Sequence, residues 1–193
     1  MLKNEAGEVI YTPSDIIRYL SSPFASWMDR YHLECPGVLT PDGISDGQKL
    51  IRDAGMAHER AVLQEFRASG IDIAHIEEDD FEAAHRATLE ALRAETQLIY
   101  QAALRSSRLQ GHADFVELSC EGGYLAWDTK LARSPRPYFV IQLCAYSEML
   151  AELTGRAPER FGVILGTNDR VEYRAEEFIH YYRRVKANML AMQ

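Results

Sequence analysis

Gly111-His112-Ala113-Asp114 is followed, fourteen residues after Asp114, by Asp128-Thr129-Lys130. Two carboxylates and an ammonium come together there if the intervening chain folds back on itself. Ser119-Cys120-Glu121-Gly122-Gly123 reads as the required tight turn, with glycine where a three-residue hairpin loop needs a left-handed backbone. In an antiparallel pair closed by Cys120-Glu121-Gly122, Asp114 stands opposite Asp128 and His112 opposite Lys130. Side-chain alternation then places all four on one face. Like charges facing across a ladder repel, so such a pair suits a cation or a shared proton. Hard oxygen donors select magnesium or manganese, and a divalent ion beside a lysine suits phosphodiester hydrolysis. A surface hairpin with two solvated aspartates has the same letters. Against that reading stand Ala113, Phe115, Leu125, Trp127 and Leu131 on the other face, which give the hairpin an apolar side to bury and a defined register.

The elements that must position this pair are legible around it. A helix is predicted from about Ser45 to Ser69, with Ile51, Ala54, Val62 and Phe66 at helical spacing and His58 on their face. An inward histidine is either a metal ligand or a core imidazole holding a hydrogen bond. Glu59, one residue round the helix, reads as a solvated carboxylate or one that supports a ligand rather than being one. Downstream, Gln142 and Tyr146 stand four apart in the helical run Tyr138 to Leu153 and project from one stripe. An ordinary amphipathic helix with a polar edge would show the same pattern.

The ordered set Gly55-x-x-His58, Gly111-x-x-Asp114, Asp128-x-Lys130 and Gln142-x-x-x-Tyr146 resembles the RecB-like branch of the PD-(D/E)XK nuclease superfamily. The resemblance runs from about Tyr11 to the last helix, and Tyr11-Thr12-Pro13-Ser14-Asp15-Ile16-Ile17-Arg18-Tyr19-Leu20 is similar to the start of RecB-like nuclease domains that are often fused to a helicase. It implies a restriction-endonuclease-like core within an α/β fold, a central mixed β-sheet flanked by α-helices with an N-terminal helical segment. It further implies that His58, Asp114, Asp128 and the main-chain carbonyl of Thr129 bind Mg2+ or Mn2+. Lys130 would lie beside the attacking water, with Gln142 and Tyr146 contacting the substrate strand or ordering the site. Lys130 can stabilise developing charge, orient the water, or accept its proton if its pKa is pulled down. Asp128 stands where many relatives carry glutamate, and the shorter side chain still fits the pattern.

One departure from the family concerns iron. Several relatives carry an iron-sulfur cluster whose first cysteine lies in the N-terminal helical segment, and Ser22 occupies that place here. Cys35, Cys120 and Cys144 have no C-x-x-C spacing and cannot supply four thiolates from one chain. No iron-sulfur cluster is expected, and Cys144 reads as a small buried hydrophobe.

The 193 residues, 47% of them hydrophobic, can bury one sizeable core. A single nuclease domain over 1-193 is expected, with a helical region at 1-44 and a catalytic core at 45-193, either free-standing or as a piece of a longer protein. No apolar run reaches membrane-spanning length, Met1-Leu2-Lys3-Asn4-Glu5 lacks a signal-peptide core, and the odd, scattered cysteines fit a reducing compartment, so a cytoplasmic location without membrane contact is expected. A net charge of -8 argues against a general nucleic-acid coating protein, although not against a nuclease. Part of the excess is Glu77-Glu78-Asp79-Asp80, a solvated loop or an acidic helix start. Cations cluster elsewhere, at Arg105 and Arg108, at Arg183, Arg184 and Lys186, and just past the catalytic strand. Arg133, Arg136 and Tyr138 there are candidates to hold a substrate strand, surface solubility being the other use of such arginines.

The remaining pattern predicts helices at Pro13 to Leu20, Phe24 to His32 and Asp80 to Ala94. Strands are predicted at Ile71 to Ile76, Gln97 to Leu104, Phe161 to Leu165 and Arg170 to Tyr173, with a closing helix at Glu176 to Met192. Phe178, Tyr181, Tyr182, Val185 and Met189 fall at core spacing in that last helix. Helix, mixed sheet and helix in this order suggest an α/β sandwich with the site at one sheet edge. The expected function is a metal-dependent DNA nuclease of repair, recombination or defence, exonuclease-like on single-stranded or end-bearing DNA and working with a helicase domain or subunit. The alternatives are a nuclease-fold module that binds DNA or docks a helicase with little activity of its own, and a hydrolase of another phosphoester.

Overall fold

The computed structural model describes residues 1-4 and 6-193. Glu5, the last residue of the stretch Met1 to Glu5, lies outside the described residues. Two short antiparallel strands open the chain, β1 (Leu2–Lys3) and β2 (Val9–Ile10). Strands of two residues carry no readable periodicity, and the hydrophobic pattern gives no sign of them. Helices α1 (Pro13–Ser21) and α2 (Pro23–Glu34) each begin with proline, whose fixed φ suits a first turn. The Thr12 N–H donates to the Asp15 carboxylate at 2.7 Å to start α1. Ser22 accepts from the Ala25 N–H at 3.1 Å to start α2.

Helix α3 (Asp46–Ala68) carries His58 and starts from a capping box in which the Ser45 N–H donates to Gln48 Oε1 at 2.8 Å. Next come β3 (Ile73–His75) and α4 (Phe81–Arg93). Asp80 caps α4 by accepting from the Ala83 N–H at 2.9 Å, so the acidic run serves as a helix start. The chain continues through β4 (Leu98–Arg105), β5 (Gln110–Leu118), β6 (Tyr124–Lys130), α5 (Pro137–Thr154), β7 (Arg160–Leu165), β8 (Arg170–Arg174) and α6 (Ile179–Met192). The closing segment is not one helix. A 3-10 turn at Ala175–Glu177 precedes α6, and Phe178 separates them.

One six-stranded sheet in the order β3-β4-β5-β6-β7-β8 organises the molecule, parallel at β3/β4 and β6/β7 and antiparallel elsewhere. Helices α4 and α5 are the crossovers that parallel neighbours require. The hairpin joins β5 to β6 in the expected register, with Phe115 opposite Trp127 and Val116 opposite Ala126. Ser119 N–H donates to the Gly123 carbonyl at 2.9 Å and Gly122 adopts φ 77°, so Cys120-Glu121-Gly122 is the loop. The hairpin is not at a sheet edge, however. The crossover through α5 lays β7 and β8 beyond β6, which makes β5 and β6 the two central strands.

Both sheet faces are apolar, and this corrects the assignment of sides. Phe115 and Trp127 pack with Val62, Leu63 and Phe66 of α3 and with Leu98, Tyr100 and Ile164. Val116 and Ala126 point the other way, into a larger cluster with Phe139, Leu143, Met149 and Phe161. Ala113 belongs to that larger cluster rather than with Phe115, and Leu131 is exposed. Ile51 and Ala54 are exposed too, because the 23 residues of α3 span about 35 Å and only its C-terminal half meets the sheet. In α6, Tyr182, Val185 and Met189 are buried, whereas Tyr181 faces outward.

Trp127 pairs with Gly162 on the parallel neighbour β7, and its six-membered ring fills the place a Cβ would take there. Gly162→Ala is therefore expected to cost about 1–3 kcal/mol through displacement of a ring packed against α3. Urea unfolding that gave an unchanged midpoint would contradict this packing.

Candidate active site

Asp114 lies at the middle of β5, and Asp128, Thr129 and Lys130 end β6. The ladder between the two strands stops at Phe115–Trp127. On its other side, the β4–β5 ladder runs through Tyr100–Phe115 and resumes at Ala102–Ala113, skipping Gln101 and Asp114. Gln101 has φ 58°, a left-handed conformation that a non-glycine residue adopts only under local constraint. This break explains why Ala113 and Phe115 serve different clusters.

The skipped residues are both engaged. Asp114 Oδ2 accepts from the Thr129 N–H at 2.7 Å and from the Thr129 hydroxyl at 2.6 Å. In an extended strand the N–H and C=O of one residue face the same neighbour, so the Thr129 carbonyl also looks toward β5. Gln101 Nε2 donates to Glu59 on α3. Glu59 is thus a half-buried member of the cluster and not a solvated carboxylate.

Asp128 is 1% exposed, and Lys130 forms an ion pair with it. Helix α5 supplies the remaining polar groups. Lys130 Nζ donates to Gln142 Oε1 at 3.2 Å, and Gln142 Nε2 donates to Asp128 Oδ1 at 3.3 Å and to the Tyr146 hydroxyl at 3.0 Å. That hydroxyl donates in turn to the His112 carbonyl at 2.6 Å. Tyr146 is 3% exposed. The His112 side chain does not join the cluster. It turns outward and meets the Phe81 ring edge-on at 5.4 Å. His58 lies half-buried on α3 near Asp114, and its Nε2 is buried without a hydrogen-bond partner among the described residues.

Burial sets the electrostatics. It pushes the Asp114 carboxyl up, against the Thr129 hydrogen bonds and the charges of Lys130 and His58. Burial and then the Asp114 charge push Asp128 up to about 7. Glu59 rises for the same two reasons, its own burial and the charge of Asp114. For Lys130, burial pulls downward, but the charges of Asp128 and Asp114 outweigh it and the ammonium is held above its ordinary value. Lys130 is therefore a cation in this arrangement, suited to stabilising or orienting an anion.

The other candidates lie on the surface. Arg133, Arg136 and Tyr138 are exposed beyond the end of β6. Most of the other cations named as candidates have neighbours within the chain, and Arg184 is exposed on α6. Arg105 pairs with Glu82 and Arg108 lies over the Tyr11 ring, while Arg183 and Lys186 both face Glu148. Cys35, Cys120 and Cys144 are separate, at the end of α2, in the hairpin loop and inside α5. No group of three His, Cys, Asp or Glu side chains converges as a ready-made metal cage among the described residues. None of their helices is long and apolar enough to cross a membrane.

No family model matches the chain, and no curated protein matches it. Among solved structures, that of SSO0001 aligns with 100% of this chain and 79% of its own at 12% identity and a TM-score of 0.41, which carries no argument about activity.

Two outcomes test this geometry. Because folding raises the Asp128 pKa, the cost of its charge is absent at low pH and complete above about 7. In chelator, Asp128→Asn should be more stable than wild type above that pH by on the order of a few kcal/mol, and the gain should shrink as pH falls toward about 4. A pH-independent difference in melting would refute it. Tyr146→Phe should cost about 1 kcal/mol by leaving the His112 carbonyl unpaired, and denaturant midpoints equal to wild type would show that the hydroxyl does not hold β5 to α5.

Proposed function

We propose that the chain is a metal-dependent nuclease of the RecB-like PD-(D/E)XK type, with a restriction-endonuclease-like core, that hydrolyses phosphodiester bonds in DNA. The proposed activity is exonuclease-like, on single-stranded or end-bearing DNA. The observation that carries this reading is the half-buried Asp114 and the buried Asp128 on adjacent central strands, with the Lys130 ammonium and the Gln142 amide directed at Asp128. Carboxylates whose pKa is raised by desolvation cost stability when charged, and a bound cation would relieve that cost.

The residues fit a divalent ion. His58 Nε2 is a buried ring nitrogen with no partner among the described residues, and Asp114 and Asp128 with the Thr129 carbonyl add the hard oxygen donors that magnesium or manganese prefers. When bound, such an ion neutralises phosphate charge and lowers the pKa of water to supply hydroxide. Lys130, kept cationic by its neighbours, places a positive charge where the phosphorane develops negative charge. Gln142 fixes both Lys130 and Asp128 by accepting from one and donating to the other, and Tyr146 anchors Gln142 to the β5 main chain. Thr129 holds Asp114 in place through two hydrogen bonds.

A second reading, a nuclease-fold module that binds DNA or docks a helicase with little activity of its own, draws on one observation. Lys130 sits on the Asp128 carboxylate that a metal would need. Cleavage of end-labelled linear single-stranded DNA with manganese, magnesium or chelator separates the two. Wild type should give metal-dependent products, Lys130→Ala should lose roughly 100-fold or more in rate, and Asp114→Asn should weaken manganese binding about tenfold or more by calorimetry. Tight manganese binding without cleavage would favour the module, and equal manganese affinity in Asp114→Asn would refute the ligand assignment.

A further inference from the structure

A cavity of about 700 Å³ opens between the second half of α5, the loop before β7, the 3-10 turn after β8 and the start of α6. None of Asp114, Asp128, Lys130, Gln142 or Tyr146 lines it, so it is separate from the candidate active site. In its wall stands Ser147, 3% exposed, whose Oγ is buried without a hydrogen-bond partner among the described residues. A helical hydroxyl has a ready partner in the carbonyl four residues back. Thr154 on the same helix donates to the Leu150 carbonyl at 2.8 Å, and Thr88 on α4 donates to the Ala84 carbonyl at 2.9 Å. Ser147 leaves that bond unmade, and an unpaired buried hydroxyl is destabilising until something reaches it.

The charged walls pair off unequally. Arg174 forms an ion pair with Glu176, and Arg160 forms one with Glu172 at 3.2 Å. Glu148 Oε2 accepts from Lys186 and, at 2.9 Å, from the Tyr182 hydroxyl. Two lining charges are left over. Arg183 Nε stands 3.7 Å from Glu148 Oε1, beyond hydrogen-bonding distance, and the exposed Glu159 carboxylate has no ion pair or hydrogen bond among the described residues. One free guanidinium and one free carboxylate thus share a cavity whose remaining walls include the aliphatic Ala151, Pro158 and Ile179. A simple anion would meet Glu159 and a simple cation would meet Arg183, each with its own sign. A ligand carrying both charges answers both.

We propose that this cavity binds a small zwitterion with an aliphatic body, an amino acid or short peptide, whose carboxylate lies on Arg183 and whose ammonium lies on Glu159. A guanidinium fork matches a carboxylate in shape as well as charge. The Ser147 hydroxyl, both donor and acceptor, bonds to the polar end of the ligand, and the aliphatic wall takes its side chain. The inference does not depend on the nuclease reading, because no residue assigned to the metal or the phosphodiester takes part.

Ligand-detected NMR titrations in chelator test it with leucine and leucylleucine, which differ in the separation of their two charges. Leucinamide lacks the carboxylate and N-acetylleucine lacks the ammonium. Wild type should bind one of the two zwitterions roughly tenfold more tightly than the corresponding blocked forms. Arg183→Gln should erase the preference over the amide and keep that over the acetylated form, and Glu159→Gln should do the reverse. Both side chains are exposed, so thermal melting should show both variants folded. Ser147→Ala should weaken the zwitterion severalfold. Absence of binding by either zwitterion at millimolar concentration overturns the inference. So does equal affinity for the blocked forms, or preferences in Arg183→Gln and Glu159→Gln that match wild type.

Discussion

Asp114 and Asp128 stand side by side where a sheet is covered on both faces, and desolvation of their charge is the constraint to which the surrounding structure answers. A buried carboxylate must be paired, protonated or hydrogen-bonded. Here each of the two has its own solution. Asp114 receives the main-chain N–H and hydroxyl of Thr129, and Asp128 receives Lys130 and Gln142. Neither solution cancels the burial, since both carboxyl groups are pushed up in pKa and Glu59 joins them through Gln101. The folded chain therefore holds negative charge, or protons in its place, that a bound cation would relieve.

Holding that charge requires departures from regular structure on three sides. The β4–β5 ladder skips Gln101 and Asp114, which frees the Asp114 carboxylate from strict strand alternation and lets Gln101 reach α3. The β5–β6 ladder ends where the Asp114 carboxylate takes over the Thr129 N–H. Helix α5 is buried along most of its length, yet carries Gln142 and Tyr146 one turn apart where they meet the strand ends. A polar network inside an apolar helix face is sustainable only if its members are satisfied. In this one, each group from Lys130 through Gln142 and Tyr146 to the His112 carbonyl donates or accepts in turn.

The same packing sorts the cations. Those near acidic neighbours, Arg105 and Lys186, are consumed in pairs within the chain. Arg136 remains on an exposed segment. Net charge alone would discourage a polyanionic ligand, but local charge is what a strand meets.

Much of this was legible in the residues themselves. The hairpin register follows from Cys120-Glu121-Gly122 and the flanking apolar letters, and the helix starts follow from Thr12, Ser22, Ser45 and Asp80, because turns and caps are local chemistry. Hairpin spacing brings Asp114, Asp128 and Lys130 together for the same reason, whereas Gln142 and Tyr146 could be joined to them only through the family resemblance. Other features depend on what packs against what. The hairpin's place in the middle of the sheet was settled by β7 and β8, and the exposure of Ile51 by the length of α3 against the sheet. The inclusion of Glu59 required the left-handed Gln101, a constraint imposed by neighbouring strands that leaves no mark in composition or periodicity. Local sequence by itself determined the elements and most of the polar cast. Only the tertiary structure decided which faces were buried and which carboxylates share a field, because burial and electrostatic coupling are properties of residues distant in sequence and adjacent in space.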